Sequence, residues 1–309
     1  MNERPDVVCL GILVADVIAR PVEKLPAAGT LTLLDEISLH GGGCALNTAT
    51  ALVRFGLQAA AVGKVGCDPF GDFILGLLDE RGVQDGVMRD GAVPTSSTVV
   101  LVDKQGERTF LHLPGANGAL RSEELDRELL FSGRALHVAG ALVMPMLDGE
   151  PTAALLAEAR ERGLLTSLDT VWDASGRWER VLPALPHLEL LTASLAEARA
   201  ISGEDEPAAV AAWLRSHGAR RLALKLGADG CFVAEDGFAE HVPAQRVDAV
   251  DGTGAGDAFA AGLLYGLLAG WPLDRAATLA NAAGALATTV VGASDGVAGL
   301  EETLQLAGL

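Results

Sequence analysis

With 309 residues, half of them hydrophobic but only 4% aromatic, and with 37 glycines, the chain can bury a substantial core of small and branched side chains. A formal net charge of −18, from 23 Lys and Arg against 41 Asp and Glu, argues against nucleic acid or an anionic membrane as a partner. Cys9, Cys44, Cys67 and Cys231 form no C-x-x-C pair and no zinc spacing with the six histidines, as expected of reduced thiols in a cytoplasmic protein.

The first six residues carry no net positive charge, and the apolar run after them is broken at Asp16, so residues 7–15 predict a strand and not a signal peptide. That strand delivers Asp16 to its carboxyl edge, where sites form in open sheets. Residues 29–40 alternate apolar and polar side chains; Gly41-Gly42-Gly43 then opens a helix over 45–55, with Asn47 in its first turns. A strand over 59–63 and a helix over 70–81 follow, and residues 97–113 read as a hairpin turning at Asp103-Lys104-Gln105-Gly106-Glu107. Further strands are expected at 135–139, 164–168, 188–191 and 222–226, with helices at 152–162, Leu195–Ser202 and 208–217. The uncharged stretch 276–294 is long enough to span a membrane, but Thr278, Asn281, Gly284, Thr288 and Thr289 make it too polar and too small for that.

Short apolar strands alternating with helices imply an α/β architecture, a mostly parallel central sheet flanked by helices on both faces. The two helix-free stretches, about 17–40 and 96–114, are expected to form a small antiparallel β-sheet lid over a pocket. No repeat or linker divides the chain, which reads as one domain, 1–309, with its lid.

The heptad Asp251-Gly252-Thr253-Gly254-Ala255-Gly256-Asp257 runs straight into a helical pattern over 258–264. Its small residues let backbone amides converge where the positive end of a helix dipole begins, which makes an anion site. A carboxylate there would repel a phosphate bound for its own sake. Asp257 makes sense if it accepts a proton from a hydroxyl while the amides hold the phosphoryl group which that hydroxyl attacks. A glycine-rich turn with an acidic residue that merely favours the dipole is the plainer account of the same heptad. Near the N-terminus, the carboxylate of Asp16, the bare amides of Gly42 and Gly43 and the carboxamide of Asn47 offer the mixed donors and acceptors that a polyhydroxylated ligand needs. Taken singly, each also fits a turn cap, a hinge or a helix cap.

Gly42-Gly43-Cys44-Ala45-Leu46-Asn47 and the heptad 251–257 resemble the two signatures of the ribokinase-like (phosphofructokinase-B-type) carbohydrate kinases, and the likeness continues through 63–72 and 226–230. The resemblance implies a three-layer ribokinase-like fold with a β-lid, often shared between the subunits of a homodimer, and ATP- and Mg²⁺-dependent phosphorylation of a sugar hydroxyl. It makes Asp257 the catalytic base and the amides of Gly254, Ala255 and Gly256 the anion hole. Asp16, Gly42, Gly43 and Asn47 would hold the sugar, and Lys225, Gly227 and Asn281 would line the nucleotide site. Asp251 and Thr253 would lie on a monovalent-cation (K⁺) loop faced by Gly292. The family's Asn-x-x-Glu motif, tied to magnesium and phosphate handling, appears here as Ser194-Leu195-Ala196-Glu197, keeping Glu197 but not the Asn. Lys225 stands where a Thr is common, either near the ATP phosphates or simply at a strand end. Cys44 reads as a small packing residue.

At a helix start Asp257 is expected to have a lowered pKa, a handicap for a base that the late proton transfer of phosphoryl transfer tolerates. Gly63-Lys64 is followed by Val65, so there is no P-loop, and the glycine spacing at 252–256 does not suit a dinucleotide fingerprint. Gly292-Ala293-Ser294-Asp295-Gly296 fits the G-x-S-x-G of serine hydrolases, but their triad needs a later His and the last one here is His241. A nucleoside kinase of the same family and a non-catalytic sugar- or nucleotide-binding regulator are the remaining alternatives. Arg54, Arg89 and Arg108 are the few cations near the sugar constellation, which favours an unphosphorylated sugar or sugar acid, and His40 and His112 lie on the flap, where they could touch it.

Overall fold

The computed structural model describes residues 4–290, 292 and 296–309; Ser294 and its two neighbours, and with them the G-x-S-x-G reading, lie outside the described residues. The chain begins with β1 (Val7–Gly11), then leaves the central sheet for two lid strands, β2 (Val14–Arg20) and β3 (Glu36–Gly42). Helix α1 (Cys44–Arg54), β4 (Ala59–Gly66), α2 (Pro69–Glu80) and β5 (Gln84–Asp90) return to the main sheet before the hairpin β6 (Ser97–Val102) and β7 (Arg108–Leu113) completes the lid. Two one-turn helices, α3 (Gly115–Gly118) and α4 (Arg127–Leu130), precede β8 (Ala135–Ala141), α5 (Glu150–Glu161), β9 (Leu165–Thr170) and β10 (Leu190–Ser194). The last third runs through α6 (Leu195–Ser202), α7 (Pro207–Ser216), β11 (Arg221–Lys225), β12 (Cys231–Glu235), β13 (Phe238–Val242), α8 (Ala255–Leu268), α9 (Leu273–Ala287) and α10 (Leu300–Ala307).

Nine strands form the central sheet in the order β13-β12-β11-β10-β9-β8-β1-β4-β5, parallel from β11 to β5 with β12 and β13 antiparallel at one edge. β1, β4 and β8 are buried along their whole length, and their Val, Ala and Leu runs are what a parallel strand covered on both faces requires. One face packs Leu10, Leu136, Leu168 and Leu222 against α5 and α7, and the other packs Cys9, Ala61 and Ala139 under α1 and α8. Asp68 caps α2 by accepting from the Gly71 amide, and Pro69 occupies its first position. Among the described residues no helix is long and apolar enough to cross a membrane.

The expected strand over 7–15 is two strands. The run is apolar throughout, so its pattern gives no sign of where the chain leaves the central sheet. The break at Ile12 and Leu13 is made possible by Asn117, whose side chain accepts from Leu13 N at 3.1 Å and donates to Leu13 O at 3.0 Å. Asp16 therefore belongs to β2, on the lid, and does not end a strand of the main sheet. The lid is a separate four-stranded sheet, β3-β2-β6-β7, and it is not wholly antiparallel because β2 and β6 run parallel.

Helices α8 and α9 cross at very short range. A methyl on Gly262 would stand 2.7 Å from Ala280 Cα, and one on Gly266 would stand 2.6 Å from Ala276 Cβ. Gly→Ala in a helix interior ordinarily gains about 1 kcal/mol of helix propensity. At Gly262 that gain is outweighed by overpacking of about 1–3 kcal/mol, so Gly262→Ala is expected to lower Tm by a few degrees. An unchanged or raised Tm by differential scanning calorimetry contradicts the close packing.

Candidate active site

Gly254 adopts φ +78° and caps α8 from the left-handed region, a conformation natural to glycine, so the chain enters the helix at a sharp turn. The amides of Gly254, Gly256 and Asp257 have no acceptor among the described residues, and Ala255 N donates only a long 3.4 Å bond to Gly252 O. These are the orphan donors of a helix start, converging on one spot.

Asp257, third in the helix, is buried, and its Oδ2 accepts from Asn47 Nδ2 at 2.7 Å. The Cys44 thiol also lies beside this carboxylate. Burial raises the pKa of Asp257 and nearby Asp169 adds to the shift, against the bond from Asn47, the neighbouring Cys44 thiol and the charge of Lys225. The expected lowering at a helix start is thus overturned: desolvation under α1 outweighs the dipole. Because Asp257 takes the Asn47 nitrogen, Asn47 Oδ1 points elsewhere; it is buried and has no partner among the described residues.

The lid brings Asp16 to the same region. A methyl on Gly42 would collide with Asp16 Oδ2, so the carboxylate rests on the bare backbone at Gly42, and Gly43 at φ +92° then turns the chain into α1. Asp16 lies opposite His40 on β3 and Thr98 on β6, and Thr98 lies opposite His112 on β7. Thr98 bonds Asp16, and its Oγ1 also lies 3.1 Å from His112 Nδ1. Burial raises the pKa of Asp16 and lowers that of His112. Asp16, Gly42, Gly43 and Asn47 are therefore gathered at the junction of lid and α1, with Asp257 beside them.

On the other side of the glycine turn, Lys225 reaches from the end of β11 across β10 to β9, where its Nζ donates to Asp169 Oδ1 at 2.6 Å. Thr192 Oγ1 donates to the same oxygen at 2.7 Å. Ser194 and Glu197 form a capping box for α6: the Ser194 hydroxyl accepts from Glu197 N, and Glu197 Oε2 accepts from Ser194 N and from Thr170 Oγ1. Gly227 takes φ +65° just beyond Lys225. Asn281, on α9, is turned inward and donates to the carbonyls of Val242 and Pro243, pinning the exit of β13.

Asp251 accepts from the amides of Thr253 at 2.7 Å and Gly292 at 3.1 Å, and it pairs with the guanidinium of Arg108, which also bonds the Thr253 hydroxyl. Arg108 begins lid strand β7, so a lid cation is docked on the loop that leads into α8. The other two arginines lie elsewhere: Arg54 donates to Val297 O, and Arg89 pairs with Asp72 on the surface. Sequence reasoning missed Asp169, Thr192 and Thr98. Asp169 had the signal that singled out Asp16, a carboxylate near the carboxyl end of a buried strand; the two threonines offered none.

Residues 4–298 match the family model described as pfkB family carbohydrate kinase. A fructokinase of Klebsiella pneumoniae is 37% identical over 268 residues, covering 82% of this chain and 87% of that one. A fructokinase of Vibrio alginolyticus is 32% identical, covering 86% and 91%. Among solved structures, Arabidopsis thaliana ribokinase complexed with ribose and ATP superposes with a TM-score of 0.86 at 23% identity, over 99% of this chain and 100% of that one. A fructokinase with bound ATP from Xylella fastidiosa gives 0.81 at 24% identity over 97% of each chain, and both likenesses show the ribokinase-like fold. With a turn, a lid and a carboxylate laid out as described, and a family model matched over nearly its whole length, the chain belongs to the pfkB family of carbohydrate kinases.

Proposed function

We propose that the protein transfers the terminal phosphoryl group of ATP to a hydroxyl of a small, unphosphorylated sugar, with fructose the first candidate because the relatives at 37% and 32% identity are named fructokinases. The observation that carries this reading is the buried Asp257 carboxylate, steered by Asn47, in the first turn of a helix whose leading amides, apart from the long bond of Ala255 N, have no acceptor among the described residues. Nucleotide or sugar binding alone gives no reason to bury a carboxylate beside an anion site. Phosphoryl transfer does, because the hydroxyl must be oriented and must lose its proton as the phosphoryl group arrives.

In this reading Asp16 and Asn47 Oδ1 hold sugar hydroxyls, and the bare backbone at Gly42 and Gly43 lets the ring approach. Asp257 accepts the proton of the attacking hydroxyl. The amides of Gly254, Ala255 and Gly256 bind the migrating group, an arrangement worth about 3–4 kcal/mol per well-aimed donor in a related transition state. Lys225, Gly227 and Asn281 lie on the nucleotide side, with Asn281 acting through the β13 exit it pins.

A magnesium ion, which typically binds through one or two carboxylates together with substrate phosphates, would neutralise phosphate charge here. Glu197 suits such a partial set: the hydrogen bonds it accepts fall on Oε2, leaving Oε1 for the ion or its water. A monovalent cation such as K⁺ fits less well. Among the described residues, the carboxylate of Asp251 is neutralised by Arg108 and occupied by two amides, with Thr253 bonded to the same arginine, and no step here uses such an ion. We also propose a homodimer formed through the lid and, given four free cysteines, a cytoplasmic location. The register puts Leu39, Val17, Val99 and Leu111 in one row across all four lid strands, and Leu39, Val99 and Leu111 are exposed.

Asp257→Asn is expected to lower kcat by three or more orders of magnitude in a coupled ADP-release assay with fructose, while fructose KM changes little. Folded Asp257 has a raised pKa, so its contribution to stability is present below the unfolded value and is lost as pH rises through the folded one. The same variant should therefore keep or raise Tm at pH 7, and near-normal turnover rules out the base. The raised pKa also predicts that wild-type kcat falls on acidification with a midpoint above the ordinary carboxylate range, visible in a pH–rate profile. Val99→Lys should shift the lid-paired dimer to monomer in sedimentation velocity; an unchanged sedimentation coefficient sinks the lid interface.

A further inference from the structure

We propose that Lys225 is a catalytic residue of phosphoryl transfer: held at the glycine turn by Asp169, its ammonium donates hydrogen bonds to the phosphoryl oxygens as the group passes to the sugar. A methyl added at Gly256 would stand 3.2 Å from Lys225 Nζ, so the ammonium lies directly against the second residue of α8, one of the three assigned to the anion hole. The ammonium carries three N–H donors, and among the described residues it has one acceptor, Asp169 Oδ1, leaving two for a ligand. Asp169, Glu197 and Asp257 all favour the charged form, so Lys225 remains protonated despite its burial. One ammonium among three carboxylates leaves the pocket net negative, in a chain already at −18, and a multiply charged phosphate entering beside Asp257 needs a cation at the point of arrival.

A purely structural role explains less. Thr192 already donates to Asp169, and a buried ion pair adds little stability over apolar packing of the same volume. On the neighbouring strand β10, Ser194 is the register partner of Lys225, and its side chain is engaged with the start of α6 and not with the ammonium. In the step itself, the sugar oxygen forms its bond to the terminal phosphorus as the bond from that phosphorus to the bridging oxygen breaks. The hydroxyl proton passes to Asp257 and ADP departs, while Lys225 keeps its proton throughout.

This inference rests on the kinase reading, and the test separates the two. In Lys225→Met, kcat should fall roughly 100- to 1000-fold, the loss typical of one anion-hole donor, with fructose KM changing less than threefold. A non-hydrolysable ATP analogue should bind about tenfold more weakly while ADP affinity is unchanged, because the contact is to the terminal phosphoryl group. In Lys225→Ala, added propylammonium should restore at least tenfold of the lost kcat. If Lys225→Met does not fold, Lys225→Met with Asp169→Asn removes both buried charges and is read in the same way. A kcat kept within threefold with a lowered Tm, or equal losses for ADP and the analogue, overturns the proposal. A wild-type protein that binds the analogue through Lys225 but turns over no sugar overturns the kinase reading alone.

Discussion

The bond from Asn47 to Asp257 joins residues 210 apart, and most of the site depends on it. It ties α1, which leaves the lid at Gly43, to α8, which leaves the glycine turn at Gly254, and the Thr48 hydroxyl adds a 3.5 Å contact to Asp257 O. It also fixes three orientations together. Asp257 is turned toward α1, the Asn47 carbonyl is turned away from the carboxylate, and the first turn of α8 is held against α1. The carboxylate is kept buried with a raised pKa, where it can take up a proton, because Asn47 satisfies it without supplying a countercharge.

Under α8 the sheet carries a polar seam where an apolar layer would be simpler. The register sets His137 beside Ser167 and Asp169 beside Thr192, with Lys225 reaching over from β11. His137 Nδ1 is 3.1 Å from the Ser167 hydroxyl, and burial pushes its pKa down to about 4, so it is neutral. Buried polar groups destabilise a core unless paired, and a mixed network is retained where it does chemistry or sets up groups that do. The small residues of α8, with Gly262 and Gly266 against α9, let the helix settle far enough for its N-terminus to reach the end of this seam.

The α/β class, helices α1 and α2 and the heptad turn were legible because they rest on local signals: apolar runs, glycine clusters, periodicity. Leu195–Ser202 has the bounds its pattern gave, since a capping box and Gly203 mark both ends chemically. Other features were not legible, three of them for clear physical reasons. The break inside 7–15 is set by Asn117, which is 104 residues from Leu13. The edge strand β5, Gln-Asp-Gly-Val-Met-Arg-Asp, is too polar to announce itself. The pKa of Asp257 depends on how deeply α1 covers it, a tertiary quantity that a helix-dipole argument does not contain.

The lid shows how one register does two jobs. Side chains alternate between faces, so the row His40–Asp16–Thr98–His112 lies on one face and the row Leu39–Val17–Val99–Leu111 on the other. Thr98 is buried and Asp16 rests on Gly42, which assigns the polar row to the inner face; the exposure of Leu39, Val99 and Leu111 assigns the apolar row to the outer one. A one-residue slip of β2 would exchange the faces, pointing Asp16 outward and Val17 at the pocket. The register is held at both ends of the lid. At one end, Gly42 admits the Asp16 carboxylate and no side chain, and at the other, Arg108 fastens β7 to Asp251 at the mouth of the glycine turn. Lid and turn are therefore tied to one another, because the residue that anchors the lid is bonded to the loop that leads into α8.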